Sequence, residues 1–515
     1  MENESTNNKR IAKNTFYLYF RMLFQLIVGL LTARYVLQAL GVVDYGIYGV
    51  VGGVVAMFSF INGSMANATM RFLTYELGKG DDQIRLRQVF STAIIIHFGI
   101  SIILIILSET VGLWYVFNHL VYPSERLTAV LWLYHFSILT TVVAILSVPY
   151  NAAIVSHEKM NAFAYISIYE TICQVIVIFI IVYTNTDKLI LYGLLLMIIQ
   201  ISIRIIYGIY CKQHFKEVSG KFYFDKHLFR KMLSFALWVV NGSVAFMAYT
   251  QGLNLLLNVF FGPTVNAART IAITVQAKIM GFCTNFQMAV NPQITKSYAV
   301  GNFNYMHKLI CNSSKYSLLL IFFLSYPIIL ECPYILKLWL GIVPEQTIVF
   351  VRLTLIIGII SALQNPMNTS AHATGNIKKY QLFEGTTLLL IVPISYCFLK
   401  FNYPPSTVFI VQLVIFVLVQ CIRVIIVCPM IKMSKTLYFN EVVFKSLKVI
   451  IPATILPFTL ENICTLNNET IKFIIVCLSS LICSSISIFY IGMDNNIRTK
   501  VILGIKNKLQ IHHNK

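Results

Sequence analysis

The stretch Gln88–Tyr115, QVFSTAIIIHFGISIILIILSETVGLWY, carries one charged residue, Glu109. It exceeds the ~20 mainly apolar residues that cross a bilayer as a helix. It predicts a transmembrane helix, and the rest of the chain repeats the pattern. Fourteen such segments are expected. The first six lie near 14–39, 46–76, 88–115, 126–155, 161–184 and 189–211. The next six lie near 230–258, 264–295, 308–331, 347–373, 380–400 and 407–431, and two more near 442–460 and 471–493. Below they are called helices 1 to 14. Composition agrees: 57% of the 515 residues are hydrophobic and 12% charged, against about 25% charged in a soluble domain. The expected fold class is an all-α integral membrane protein.

Charge sets the expected orientation. Of 40 Lys and Arg, 26 fall in alternate loops and tails that include both termini, 4 in the opposite loops, and 10 within helices. The positive-inside rule puts the basic loops and both termini in the cytoplasm. The net charge of +20 therefore points to membrane lipids and an anionic substrate as partners, and not to nucleic acid. Lys9, Arg10 and Lys13 precede an apolar run too long for a signal peptide, so helix 1 is expected to stay as an anchor.

The chain also repeats itself. Gly41 to Gly80 and Gly262 to Gly301 have equal spacing, Pro149-Tyr-Asn151 matches Pro366-Met-Asn368, and Arg204 matches Arg423. The offsets are 221, 217 and 219. An even number of crossings per copy makes the repeats parallel. The expected organisation is an N-lobe over 1–217, a C-lobe over 218–433, two additional helices over 434–493 and a basic cytoplasmic tail over 494–515.

Chemistry-bearing motifs are sparse. No GxxxxGK[ST] run occurs, since Gly220-Lys221 is followed by Phe222, which argues against direct ATP drive. The 11 cysteines are scattered singly and the histidines form no ligand pair, so no metal, cofactor or structural disulfide is expected. The outer loops are short, which leaves a glycosyltransferase or polymerase little to work with, and no catalytic residue is assigned.

Intramembrane ionisable residues carry the functional signal, because an Arg or Lys at the bilayer centre costs ~2.5–3.5 kcal/mol even on lenient scales. Arg21 and Lys278 lie deep in their helices. Arg71, Lys315, Arg352 and Lys472 read as snorkelling from helix ends. Asn14, Arg21, Gln25 and Thr32 fall on one stripe of helix 1, and Ser243, Thr250, Asn254 and Asn258 on one face of helix 7. Helix 8 carries two stripes, Thr270-Thr274-Lys278-Gly281-Asn285 and Arg269-Gln276-Gln287-Asn291. Such stripes face protein or a water-filled cavity; interhelical hydrogen bonding is the plainer alternative. Spacing leaves open which helix 8 stripe faces a cavity. Glu170 and Glu384, buried acids in equivalent helices, either pair with a buried Arg or bind a coupling proton or sodium ion.

Four runs carry a family resemblance: Ala33–Val55 (ARYVLQALGVVDYGIYGVVGGVV), Met70–Asp81 (MRFLTYELGKGD), Asn266–Asn302 (NAARTIAITVQAKIMGFCTNFQMAVNPQITKSYAVGN) and Asn376–Gly385 (NIKKYQLFEG). They resemble bacterial oligosaccharide flippases of the multidrug/oligosaccharidyl-lipid/polysaccharide superfamily, relatives of MATE drug exporters. The resemblance implies two six-helix lobes around a central cavity, with alternating access. It implies an undecaprenyl-pyrophosphate-linked O-antigen or capsule repeat unit as cargo, the bacterial inner membrane as location, and contacts with polysaccharide polymerase or export machinery. Relatives place basic cavity residues on helices 1, 2, 7 and 8, where Arg21, Arg34, Arg269 and Lys278 lie. A MATE-type exporter of cationic molecules is the alternative; the basic intramembrane balance argues against it.

Overall fold

The computed structural model describes residues 4–56, 59–80, 82–118, 122–220, 222–463, 468–494 and 498–499. Among them there is helix and no strand. Helix occupies each of the fourteen expected segments, and 11 helices are long and apolar enough to cross a membrane. The other three segments, near 14–39, 46–76 and 264–295, lie in helices Glu4–Ala56, Ser59–Lys79 and Pro263–Ala299. Pro263–Ala299 carries polar side chains on two faces, so hydropathy alone does not mark it. Such a helix needs protein or water, and not lipid, against those faces. Most of the basic tail expected over 494–515 lies outside the described residues.

The repeated glycines do the same conformational work in both copies. Gly41, Gly80, Gly262 and Gly301 have φ of 79°, 119°, 78° and 75°. This is the left-handed region that a Cβ disfavours. Gly41 and Gly262 break the chain sharply before a long helix, and Gly80 and Gly301 end the run.

The chain packs into two units. The first comprises 1–244, 288–302 and 372–382. Its core includes Leu86, Val89, Leu133, Tyr134, Ile154 and Ile181. Leu127–Ser156 packs along Lys188–His214, and Glu4–Ala56 along Met160–Tyr183. At Gly193 an added Cβ would sit 2.9 Å from Leu133 Cδ1, so glycine sets that close approach. The second unit comprises 245–287, 303–371 and 383–515. Its core includes Leu253, Leu257, Phe350, Ile391, Val408 and Phe409. Lys445–Ile463 and Glu469–Ser487 dock on Phe303–Leu330 through Phe322, Tyr326, Ala453 and Val476. The Tyr326 hydroxyl donates to Thr454 O at 2.8 Å. Phe98, Ile103, Ile106, Ile455, Phe458 and Leu478 point outward and exposed, as side chains solvated by lipid do.

An ionic knot ties three connections of the first unit. Arg126 donates to both oxygens of Asp44, at 2.9 and 2.6 Å, and to both of Asp187, at 2.6 and 3.2 Å. Asp187 also caps the Lys188–His214 helix by accepting from Leu189 and Ile190 N–H. Partial burial works against its charge, but the Arg126 and backbone donors outweigh it and hold the carboxyl below the usual Asp value. A depressed carboxylate stabilises fully above its unfolded pKa and loses that contribution as pH falls through the folded one. Arg126→Gln should therefore cost roughly 1 kcal/mol at neutral pH. In thermal unfolding, the gap from wild type should close as the pH falls through the depressed Asp187 titration. A gap that stays constant with pH would show that this knot does not contribute.

Candidate functional site

Each unit holds part of the ionisable inventory. In the first, the Arg21 guanidinium lies 4.5 Å from the Phe163 ring centroid. Glu170 and Tyr207 are its electrostatic neighbours. Helix Glu4–Ala56 thus presents its deep cation to the deep acid of Met160–Tyr183. Asn14, on the same stripe, donates to Glu158 O at 3.2 Å.

In the second unit, Glu384 faces Arg423. Oε1 accepts from Nη2 at 2.5 Å and from Nε at 3.2 Å, with the side chains 7% and 3% exposed. Gln364 donates to the same carboxylate at 3.4 Å, and Arg423 Nη1 donates to Gln420 at 3.1 Å. Glu384 is therefore held in an ion pair with Arg423, while Glu170 has Arg21 as its charged neighbour. The repeats differ in which arginine serves, for Arg204, the counterpart of Arg423, stacks 3.8 Å over the Tyr150 ring.

The structure separates the two helix 8 stripes. Arg269 is 3% exposed, while Lys278 is exposed. Arg269 lines a cavity of about 400 Å³ inside the second unit, and Lys278 does not. Arg269 Nη1 donates to Asn254 Oδ1 and Nη2 to Thr250 O at 3.1 Å, so the polar face of helix 7 is what holds the guanidinium. Its Nε has no hydrogen-bond partner among the described residues. Gln276 and Gln287 of the same stripe also reach the cavity. Gln287 is held by Ser317 at 2.9 Å and Ala362 O at 2.8 Å. The Arg34 side chain lies outside the described residues, although its backbone is helical.

The opposite wall went unread in the sequence as a site. Ser361, Gln364, Asn365, Asn368 and Gln412 face the cavity beside Tyr249, Phe409 and Phe416. The signal was present: Gln364–Ser370 is a polar run inside an apolar segment. Asn368, read only as a repeat marker, keeps a buried Oδ1 with no partner among the described residues. The lining holds many amides and hydroxyls and a single formal charge, Arg269. No carboxylate lines it among the described residues. Amides and hydroxyls can exchange hydrogen bonds with sugar hydroxyls in place of water. A buried guanidinium favours phosphate or carboxylate.

A third acid, Glu158, also escaped the sequence reading. It sits in the turn after Leu127–Ser156 at φ 59° with its carboxyl fully buried. It pairs ionically with Arg10 at 2.8 Å and accepts from Lys296 at 2.6 Å and from Gln293 at 2.8 and 2.7 Å. This clasp joins the beginning of Glu4–Ala56 to the end of Pro263–Ala299 within the first unit. Close packing supports it, since a Cβ at Gly78 would lie 2.9 Å from Lys296 Cα.

A family model described as polysaccharide biosynthesis protein matches residues 11–331, more than half of the chain. Comparison with curated protein sequences finds no match. Among solved structures, a MATE protein in the bent conformation aligns with TM-score 0.72 at 12% identity, covering 83% of this chain and 96% of that one. An outward-facing multidrug resistance MATE family transporter of the MOP superfamily gives 0.69 at 12% identity, with 83% and 97% covered. A MOP superfamily transporter from Pyrococcus furiosus, titled for the reverse polarity of its binding pocket, gives 0.68 at 12%, with 83% and 96% covered. At that identity the likenesses speak to fold. Family, fold and the 11 long apolar helices together support a multi-pass membrane protein. The chain therefore belongs to the polysaccharide biosynthesis protein family and has the all-helical MATE and MOP superfamily fold.

Proposed function

We propose that this protein is a flippase that moves undecaprenyl-pyrophosphate-linked oligosaccharide repeat units from the cytoplasmic to the outer leaflet, by alternating access, for O-antigen or capsule assembly. The single observation that carries the reading is the lining of the second unit's cavity: amides and hydroxyls around one buried guanidinium, without a carboxylate among the described residues. A sugar hydroxyl moved into hydrocarbon without a partner costs ~4–8 kcal/mol, so a multi-sugar head group needs such a lining. Arg269 would take an acidic group of the cargo, the pyrophosphate or an acidic sugar. The same lining fits a cationic drug poorly.

The setting is a bacterial inner membrane with both termini in the cytoplasm, in keeping with the loop-charge bias. The pairing of Glu384 with Arg423 favours a structural ion pair at that acid over the binding of a coupling ion. The function is tested by deleting the gene in a strain without a second flippase. Lipid-linked repeat units should accumulate on the cytoplasmic leaflet and the surface glycan should disappear. An unchanged surface glycan would overturn the reading.

A further inference from the structure

The run Met70–Asp81 was singled out for its family resemblance, and the transport cavity of the second unit does not use it. In the first unit its described residues help build a separate pocket of about 680 Å³. Helix Ser59–Lys79 supplies Arg71, Tyr75, Glu76 and Lys79; the following turn supplies Gly80 and Asp82. Arg85, Lys231 and the turn Thr374-Gly375-Asn376 complete the walls. Four cations thus face two acids.

One of the acids is less available than the count suggests. Asp82 Oδ1 accepts from the backbone N–H of Ile84 and Arg85 at 3.1 and 3.2 Å, capping the next helix. Arg85 is held by Gln88 at 2.8 Å and Asp225 at 3.2 Å. Arg71 does not snorkel, as its place near the helix end suggested. It is 7% exposed, donates to His372 O at 3.0 Å and Ala373 O at 2.9 Å, and lies 4.7 Å from the Tyr75 ring centroid. It therefore fixes the 374–376 turn as a wall. Gly375 has φ +78° there, and a Cβ on it would meet Arg71 Nη2 at 2.7 Å. Lys79 and Lys231 are exposed at the pocket, with no carboxylate within salt-bridge distance among the described residues. Lys79 Nζ rests 4.7 Å from the Tyr75 ring centroid.

We propose that this pocket binds phosphate groups, with Lys79 and Lys231 as the ligand-facing cations and Arg71 as the buried residue that shapes the wall. An ammonium pair converging on a pocket suits a phosphate monoester, a diphosphate or a phospholipid headgroup as point charges. The inference stands whether or not the glycan cargo is right, because it rests on a different unit and a different charge set.

The test uses the full chain in nanodiscs of zwitterionic lipid, titrated with inorganic pyrophosphate by calorimetry. Saturable binding is expected, and Lys79→Gln with Lys231→Gln should weaken it about tenfold or more, the loss of two charge-assisted contacts. Both side chains are exposed, so thermal stability should not change. Lys378→Gln with Lys379→Gln removes the same charge outside the pocket and should leave binding as it was. Repeating the titration in nanodiscs containing phosphatidylglycerol separates the sources. Competition would identify a lipid headgroup as the natural occupant, and its absence a soluble or cargo phosphate. Equal weakening in the two double variants would overturn the site in favour of diffuse surface charge. Absence of any saturable binding would overturn it outright.

Discussion

Arg269→Met should abolish transport while leaving the protein as stable as wild type or more so. Arg269 is buried with an amide oxygen and a carbonyl as partners, and no carboxylate pairs with it among the described residues. Desolvating a charge without a counter-ion costs several kcal/mol, so an apolar side chain of similar length relieves that cost. The fold then gains nothing from the charge, and on the proposed reading the charge serves an anionic group of the cargo. Loss of a charge-assisted contact to an anionic cargo is expected to reduce transport by roughly tenfold or more. Arg269→Lys should fall between, because a lysine restores the charge without the planar fork. Arg423→Met gives the contrast. It strands Glu384 at 7% side-chain exposure and should destabilise by ~3–5 kcal/mol. Abundance and thermal unfolding, measured beside transport, separate the two. If Arg269→Met proves as destabilising as Arg423→Met, Arg269 is a structural residue.

Glu158→Ala should be the most damaging change at the Glu158 clasp. It leaves Arg10, Lys296 and Gln293 without their shared carboxylate. Arg10 and Lys296 are partly exposed, at 32% and 23%, so water takes over some of the loss. The expected cost is about 2–3 kcal/mol, below the ~3–5 of a fully buried pair. Glu158→Gln should recover part of it, since its carbonyl oxygen still accepts. Glu158→Gly should be milder than Ala, because the position has φ 59° and glycine adopts that region freely. The order Gln, Gly, Ala in thermal stability checks the account. Three equal losses would show that neither the acceptor nor the backbone matters there.

What the sequence revealed, and what it withheld, follows from the range of the interactions. Helices were legible because hydropathy is local, and the repeat because four glycines had to take positive φ at matched positions. Pro263–Ala299 was recognisable as helix from its stripes, yet two stripes spaced alike along it could not be ranked. Packing sets them apart: Asn254 and Thr250 of the preceding helix hold Arg269 at the second unit's cavity, and Lys278 is exposed. An arginine partner for Glu384 was one of two readings left open, but its identity depended on tertiary register. Glu384 took Arg423, and Glu170 came to lie beside Arg21 and not the repeat-equivalent Arg204. Glu158 was hidden because His-Glu-Lys in a turn reads as a solvated loop. Its partners Arg10 and Lys296 lie 148 and 138 residues away. The Arg71 wall was missed for a similar reason, since its acceptors are backbone carbonyls 301 and 302 residues downstream.

The central claim is that the cavity around Arg269 carries a glycan-bearing, anionic lipid across the membrane. The most direct measurement reconstitutes the protein in sealed vesicles with a labelled prenyl-pyrophosphate oligosaccharide on one leaflet, and follows its appearance on the other by a membrane-impermeant enzyme. Wild type should translocate the lipid, and Arg269→Met, at equal incorporation, should not. Translocation by neither protein, or at the same rate by both, would contradict the account.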